Sequence, residues 1–194
     1  MGLTVNRHTN AIEMIWGEHL RVATKLRTLA PTVDRAVTLI AGSMAAGGAL
    51  LVCGNGGSAA DAQHIAAELT GRFFRDRRPL RALPLHGNIS SLTAIGNDYG
   101  YDEVFAREIG AHGRDGDVLL AISTSGNSPN VLRAIEAARQ KRMVIIGLTG
   151  ADGGKMRDLC DICLNVPSKS TPRIQECHIL IGHTICELLE RILC

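Results

Sequence analysis

Short apolar runs alternate with longer amphipathic segments along most of the chain. Each run is almost unbroken, which is typical of strands that are buried on both faces of a sheet. Pro84 weakens one of them, because proline cannot donate a hydrogen bond to the sheet ladder. The five predicted strands are residues 49–53, 81–86, 117–122, 143–149 and 161–166.

The segments between these runs repeat apolar residues at the three- and four-residue spacing of helices. Pro31 stands near the start of one segment, where a helix tolerates proline, and the same segment ends in a glycine pair. GNDYG, residues 96–100, is predicted as a turn between two helices. The predicted helices are 9–29, 31–48, 58–72, 90–95, 102–112, 130–141, 154–159 and 172–193.

Strands that alternate with helices indicate a parallel sheet covered on both faces. The sequence therefore predicts an α/β fold, a three-layer αβα sandwich around a central parallel sheet with extra N-terminal helices. The length of 194 residues favours one domain, residues 1–194, in which about 1–47 form a helical arm.

Composition removes several classes of function. The net charge of +2 leaves no electrostatic footprint for nucleic acid, and 3% aromatic residues leave few platforms for stacking bases. No apolar run reaches the roughly 18 residues of a membrane helix, so no membrane partner is expected. The N-terminus has no secretory pattern, which favours a cytoplasmic location, and Gly2 alone is a weak signal for N-myristoylation.

The six cysteines are expected to be reduced and to pack as small apolar residues. Cys160 and Cys163 form a C-x-x-C pair. A structural zinc site would need a second pair or two histidines at ligand spacing nearby, and neither is present.

Two loops repeat one pattern about seventy positions apart, in which an apolar strand leads through small polar residues into a helix. The second loop, STSGNS, offers hydroxyls just before a helix N-terminus, where free N–H groups suit a phosphate. Simple N-capping by Asn127 or Ser128 is the alternative. The first loop, GNGGSA, fits a relaxed dinucleotide fingerprint, but the next strand ends without the required carboxylate, so a dinucleotide site is not expected.

Two helices carry candidate ligands for a cation. His64 and Glu68 are four residues apart and share one helix face, so they can bind a divalent metal, act as acid and base, or form an ordinary exposed pair. Gln175 and His183 lie roughly 12 Å apart along their helix axis. They can share an ion only if their side chains lean together or two chains contribute. Otherwise His178 and His183 are satisfied polar residues on an apolar helix.

Five ordered segments together resemble a known family. They are CGNGGSAADAQHIAAEL, LTAIGNDYGYDEVF, GDVLLAISTSGNSPNV, GLTGADGG and TPRIQECHILIGH. The chain is similar, from about residue 10 to its end, to the sugar isomerase (SIS) domain family, and within it to the bacterial phosphoheptose isomerases. The resemblance implies a flavodoxin-like sheet.

The resemblance also implies the residues of the site. One Zn²⁺ per subunit would be held by His64, Glu68, Gln175 and His183. Phosphate would be held by Ser123, Thr124, Ser125 and Ser128. The sugar would contact Asn55, Gly56, Gly57, Asn97 and Asp98, with Glu68 and Gln175 near the reacting carbons.

The implied reaction is aldose–ketose isomerisation of sedoheptulose 7-phosphate to D-glycero-D-manno-heptose 7-phosphate through an enediolate. Glu68 is the expected base and His183 its acid/base partner, with zinc as Lewis acid. This reaction would be the first step of nucleotide-activated heptose biosynthesis, and the heptose would serve lipopolysaccharide, capsule or a glycosylated natural product. The resemblance implies a homotetramer with active sites at subunit interfaces.

One segment departs from the family. Residues 85–91 read LHGNISS, so His86, Gly87 and Asn88 stand where hydroxyl and carboxylate residues are common. The departure bears on fine substrate preference. The alternative function is a non-catalytic SIS regulator that binds a protein partner or senses a phosphosugar. Relatives of the regulatory kind lack the metal-site glutamate and final histidine, and this chain has both Glu68 and His183.

Overall fold

A computed structural model describes residues 8–194 and places five parallel strands in one sheet. The spatial order is β2-β1-β3-β4-β5. β2 is the shortest strand, and Pro84 is its last residue. The strands are β1 Leu50–Gly54, β2 Ala82–Pro84, β3 Val118–Ile122, β4 Val144–Thr149 and β5 Ile162–Asn165.

Seven α-helices and three short 3₁₀ turns connect the strands in this part of the chain. The predicted helical arm at 1–47 appears as α1 and α2 joined by a 3₁₀ turn, with residues 1–7 and the Gly2 signal outside the described residues. The helices are α1 Thr9–Lys25, α2 Ala30–Ala45, α3 Gly57–Thr70, α4 Ile89–Tyr99, α5 Val104–His112, α6 Pro129–Gln140 and α7 Thr171–Leu193. The 3₁₀ turns are Leu26–Leu29, Tyr101–Glu103 and Gly154–Asp158.

Successive strand residues point alternately into two hydrophobic cores, one on each face of the sheet. This arrangement confirms the predicted three-layer sandwich. Leu50 and Val52 of β1 face the layer built by α2, α3 and α7. Leu51 and Cys53 face the opposite layer, built by α5 and α6. All five positions of β1 and of β3 are buried, as the unbroken apolar runs predict.

The strand order reverses between β1 and β3, which are neighbours in the sheet although β2 lies between them in the chain. Such a reversal opens a crevice beyond the carboxyl ends of the two strands, where ligands bind in open α/β sheets. The loop after β1 and the serine-rich loop after β3 both leave the sheet there.

The predicted turn at residues 96–100 is wrong. α4 continues through Gly96, Asn97 and Asp98 to Tyr99, and only Gly100, with φ of +92°, ends it. Glycine carries no Cβ penalty at positive φ, so it stops the helix there. Glycine and asparagine favour turns, but Gly96 and Asn97 lie within α4, so the packing of the helix outweighs that preference here.

The cysteines divide by burial. Cys53, Cys177 and Cys186 are buried in the two cores, as expected of small apolar residues. Cys160 and Cys163 are half-buried, and Cys194 is exposed. Among residues 8–194, no helix combines the length and hydrophobicity needed to cross a bilayer.

A buried ion pair fixes the end of α3. Arg77 Nε lies 3.2 Å from Glu190 Oε1 of α7, and both side chains are almost fully buried. Arg77 also donates to the carbonyl oxygens of Glu68 and Leu69, both at 2.8 Å, and so satisfies carbonyls at the end of α3. The Glu190 carboxylate accepts the backbone N–H groups of Phe73, Phe74 and Arg75.

These contacts set the ionisation of Glu190. Burial disfavours its charged form, but the three backbone N–H groups and Arg77 outweigh burial and hold the pKa of Glu190 below its ordinary value. A depressed carboxylate pKa contributes stability above the ordinary pKa, and that stability is lost as pH falls through the folded-state value. The segment after α3 is thus tied to α7 most firmly near neutral pH.

Replacing this carboxylate should destabilise the fold. Glu190→Gln is expected to lower the free energy of unfolding by about 3 kcal/mol, because Arg77 is left buried without its counter-charge. The difference from the parent chain should shrink on acidification. Urea denaturation at one protein concentration measures both effects.

Glu187→Gln is the matched control on the same helix. Its partner Arg191 is well exposed, so the expected loss is below about 1 kcal/mol. Equal losses for the two variants would contradict the role given to the Arg77–Glu190 pair.

Candidate active site

Two helices approach closely because glycine stands at their contacts. A Cβ added to Gly182 of α7 would lie 2.6 Å from Ile65 Cδ1 of α3. A Cβ added to Gly57, the first residue of α3, would lie 2.5 Å from Gln175 Nε2 of α7. The earlier residue of α3, Gly57, contacts the earlier residue of α7, Gln175, and the later residues Ile65 and Gly182 contact each other. The two helices α3 and α7 therefore run parallel. The missing side chains let the helices pack with little space between them.

This packing brings three of the predicted metal ligands together. His64 Nε2 lies 3.0 Å from Glu68 Oε1 and 3.4 Å from His183 Nε2. One ligand atom from each residue lies within 4.8 Å of the others. His64 is exposed, while Glu68 and His183 are half-buried. The side chains therefore converge at the surface end of the α3–α7 contact, where a small molecule can reach them.

The donor set fits a divalent cation. Two imidazole nitrogens that face one another need either a proton or a cation between their lone pairs. Zinc ligands about 2.0–2.1 Å from the ion at a tetrahedral angle lie about 3.4 Å apart, which is close to the imidazole separation here. A His₂Glu set also leaves one position open, as catalytic zinc sites do.

The fourth predicted ligand contacts the start of α3. Gln175 is two helical turns before His183, and its amide packs against Gly57. His178, the other histidine of α7, is fully buried and lies 3.1 Å from the carbonyl oxygen of Thr149 through Nε2. Burial lowers the pKa of His178 to about 4, so it is a neutral core histidine, and its buried Nδ1 has no hydrogen-bond partner among the described residues.

Asp61 is a site residue that spacing did not single out. It lies on the same face of α3 as Gly57, His64 and Glu68, at intervals of four, three and four residues. Burial raises the pKa of Asp61 to about 6, although the nearby His64 opposes the shift. Its Oδ2 is buried without a hydrogen-bond partner among the described residues. The position of Asp61 on that face was visible in the sequence, but its burial was not.

The hydroxyls of the serine loop cluster together instead of capping α6. Ser123 Oγ lies 2.9 Å from Ser128 Oγ and 3.4 Å from Ser125 Oγ, so three hydroxyls cluster. Ser128 is the N-cap residue of α6, yet its side chain makes no capping hydrogen bond. The first N–H groups of α6 are therefore not satisfied by the residue placed to cap them, which leaves them available to an anion.

A cleft of about 350 Å³ opens beside this loop. Thr124 and Ser125 form one wall, and residues 150–154 form another. Lys169, at the entrance to α7, also lines the cleft and lies 3.5 Å from Asp152. This lysine adds a positive charge that sequence reasoning missed, because only the fold brings the loop before α7 next to the serine loop.

An amide pair joins the two loops at the switch point. Asn55 and Asn130 exchange two side-chain hydrogen bonds of 2.9 Å each. The hydroxyl of Tyr101 donates to Asn55 Oδ1 at 3.1 Å. The predicted sugar contact Asn55 is thus held in a fixed orientation by Asn130, which is buried at the start of α6. Gly56, with φ of +56°, makes the turn into α3.

Two predicted sugar contacts lie on α4. Asn97 and Asp98 are exposed on α4, where Asn97 Nδ2 donates to Asp98 Oδ1 at 2.8 Å. α4 packs on α5 and on the Tyr101–Glu103 turn, and it makes no extensive contact with α3 or α7.

The departing segment 85–91 has a local structural role. Asn88 is the N-cap of α4, and its Oδ1 accepts the backbone N–H of Ser91 at 3.1 Å. His86 is half-buried with its ring 6.4 Å from that of Phe105, and burial lowers the pKa of His86. Asn88 therefore starts α4.

Known proteins are similar to this chain in sequence and in fold. The SIS domain family model matches residues 18–150. The phosphoheptose isomerase of Rhodospirillum rubrum is 57% identical over 88% of this chain and 90% of its own length. The solved phosphoheptose isomerase of Neisseria gonorrhoeae has a TM-score of 0.90 at 44% identity, covering 94% of this chain and 98% of that one. The structure from Francisella tularensis has a TM-score of 0.91 at 36% identity, with the same coverage.

The sheet order and the two loops at its switch point are those of a SIS domain, the class predicted from the sequence motifs. Relatives that align over most of this chain and most of their own length narrow the class further. The chain belongs to the phosphoheptose isomerase family, and it is an isomerase. This confirms the predicted enzyme class over the non-catalytic alternative.

Proposed function

We propose that this sugar phosphate isomerase converts sedoheptulose 7-phosphate to D-glycero-D-manno-heptose 7-phosphate through an enediolate. The observation that carries the proposal is the convergence of His64, Glu68 and His183 at the α3–α7 contact. The same chain also carries a cluster of hydroxyls in the loop after β3. Aldose–ketose isomerisation moves a proton between adjacent carbons, so it needs a base, an acid and stabilisation of negative charge. The named activity of the relatives agrees with this chemistry.

The phosphate would bind at the loop after β3. Ser123, Ser125 and Ser128 supply hydroxyl donors, and the N-terminus of α6 supplies backbone N–H groups. Lys169 also lines the cleft, where its ammonium lies 3.5 Å from the Asp152 carboxylate. Binding at a group remote from the reacting carbons orients the sugar, so its binding energy contributes to the transition state.

His64, Glu68 and His183 would hold one Zn²⁺ per subunit. When bound, the ion would act as a Lewis acid toward the charge that develops on the sugar oxygens. Gln175 remains the predicted fourth ligand, supplied by a change of its rotamer or by a neighbouring chain. The three clustered side chains would leave one coordination position of a tetrahedral ion open for this fourth ligand.

Glu68 is the proposed base. Its Oε1 faces His64, while its Oε2 accepts no hydrogen bond from residues 8–194 and is free to take a proton from carbon. His183, across the cluster on α7, would exchange a proton with the adjacent sugar oxygen. Phe73 lies with its ring centroid 5.7 Å from that of His183 and covers one side of the imidazole.

The remaining sugar contacts point to assembly. Asn97 and Asp98 lie on α4, which makes no extensive contact with α3 or α7. We propose that they act at an interface in a homotetramer. α1 supports this, because Ile12, Trp16 and Leu20 form an exposed apolar stripe at four-residue spacing. We propose that the enzyme acts in the cytoplasm, where it supplies heptose phosphate for nucleotide activation.

Removing the base tests the mechanism. Glu68→Gln should reduce kcat for sedoheptulose 7-phosphate at least about a hundredfold, because the amide cannot take the proton. A coupled assay of heptose 7-phosphate formation, with and without a chelator, measures turnover. Zinc content is measured on the same samples, so that loss of metal is separated from loss of the base.

Glu136→Gln is the control, since Glu136 is exposed on α6 and pairs with Arg133. It should leave turnover unchanged. Near-normal turnover by Glu68→Gln would remove Glu68 from the role, and no turnover of sedoheptulose 7-phosphate by the parent chain would overturn the proposed substrate.

The assembly has its own test. Native mass spectrometry should give about four times the 20.7 kDa of one chain. Trp16→Glu should shift the mass toward smaller species, because a charge enters the apolar stripe. Leu39→Glu, an exposed apolar position on α2, should not. A monomer from the parent chain would contradict the proposal.

A further inference from the structure

A pair of cysteines lies away from the metal cluster and has no part in the proposed reaction. Cys160 follows the Gly154–Asp158 turn, and Cys163 is the second residue of β5. β5 is an edge strand, so this pair stands at the border of the sheet. Both thiols are half-buried, in contrast to Cys53, Cys177 and Cys186.

The two sulphurs occupy the space over one glycine. Gly147 lies in the middle of β4 and is the register partner of Cys163. A Cβ added to Gly147 would lie 2.8 Å from Cys160 Sγ and 3.4 Å from Cys163 Sγ. A glycine within a buried strand gives up side-chain packing, and it is used where another group must approach closely. Here the approaching groups are the two thiols.

The environment distinguishes the two thiols. A hydrogen bond from Cys160 lowers the pKa of Cys163 to about 7, assisted by the Thr149 hydroxyl and the Arg157 charge, although burial opposes the shift. The same hydrogen bond, together with burial, raises the pKa of Cys160. A half-exposed thiolate beside a second thiol in a C-x-x-C segment is the arrangement of a reactive cysteine with a resolving partner.

We propose that Cys160 and Cys163 form a redox-active dithiol that a small-molecule disulfide oxidises to an intramolecular disulfide. The Cys163 thiolate attacks one sulphur of the small disulfide, whose S–S bond breaks and releases one thiolate. Cys160 then loses its proton and attacks Cys163 Sγ, which releases the second small thiol. Two protein thiols are oxidised and one small disulfide is reduced to two thiols.

The dithiol contacts the segments that support the serine loop. Thr149 Oγ1, at the end of β4, lies 3.7 Å from Cys163 Sγ. Met156 packs over the same glycine, with its methyl 3.2 Å from the added Cβ, and its N–H donates to Gly126 of the serine loop at 3.1 Å. Oxidation would therefore cross-link residues directly beneath the candidate phosphate site.

The test uses oxidised glutathione at neutral pH, followed by alkylation and tryptic digestion. Cleavage after Arg157 and Lys169 releases one peptide that holds both cysteines of the pair and no other. The peptide should lose two hydrogen atoms and resist alkylation until a reductant is added. Cys194 is exposed and should form a mixed disulfide, which shows that the reagent is active.

Single variants separate the two roles. In Cys160→Ser the reaction should stop with glutathione on Cys163, whereas in Cys163→Ser the peptide should stay unmodified. Circular dichroism confirms that each variant is folded. The proposal is overturned if the parent peptide is fully alkylated while Cys194 has reacted, or if glutathione remains on either thiol of the parent chain without forming the disulfide.

Discussion

The close contact between α3 and α7 determines where the side chains of the candidate site lie. Ile65 packs against Gly182, and the Gln175 amide packs against Gly57. The two parallel helices therefore approach more closely than larger side chains at these positions would allow. Protein interiors are close-packed, so an added methyl group there would have to displace an ordered neighbour. The contact brings His64 and Glu68 from one helix to His183, more than a hundred residues later in the chain.

The sheet provides the second half of the site. Parallel pairing of β1 with β3 places both of their following loops at one edge, and the Asn55–Asn130 amide pair joins those loops. The Arg77–Glu190 ion pair then anchors the far end of α3 to α7. The side chains of the His64, Glu68 and His183 cluster, the loop after β1 and the hydroxyl cluster are therefore positioned by packing between helices and strands.

Most of the fold could be predicted from residue patterns, because unbroken apolar runs and amphipathic segments alternate. The His64–Glu68 pair was also visible, since helix periodicity fixes their common face. Side-chain placement across the fold was not visible. The position of Gln175 against Gly57, the burial of Asp61 and the approach of Lys169 to the serine loop all depend on packing between distant segments. α4 shows the converse, because it continues through turn-forming residues until Gly100 ends it.

The proposed cation site requires that His64, Glu68 and His183 of one chain bind the same ion. Anomalous diffraction at the zinc absorption edge, from crystals of the protein loaded with one equivalent of zinc, locates that ion. We expect one strong peak per chain, about 2.0–2.2 Å from a nitrogen of each histidine and an oxygen of the glutamate. A peak elsewhere, or none at these residues in zinc-loaded crystals, would rule out this site.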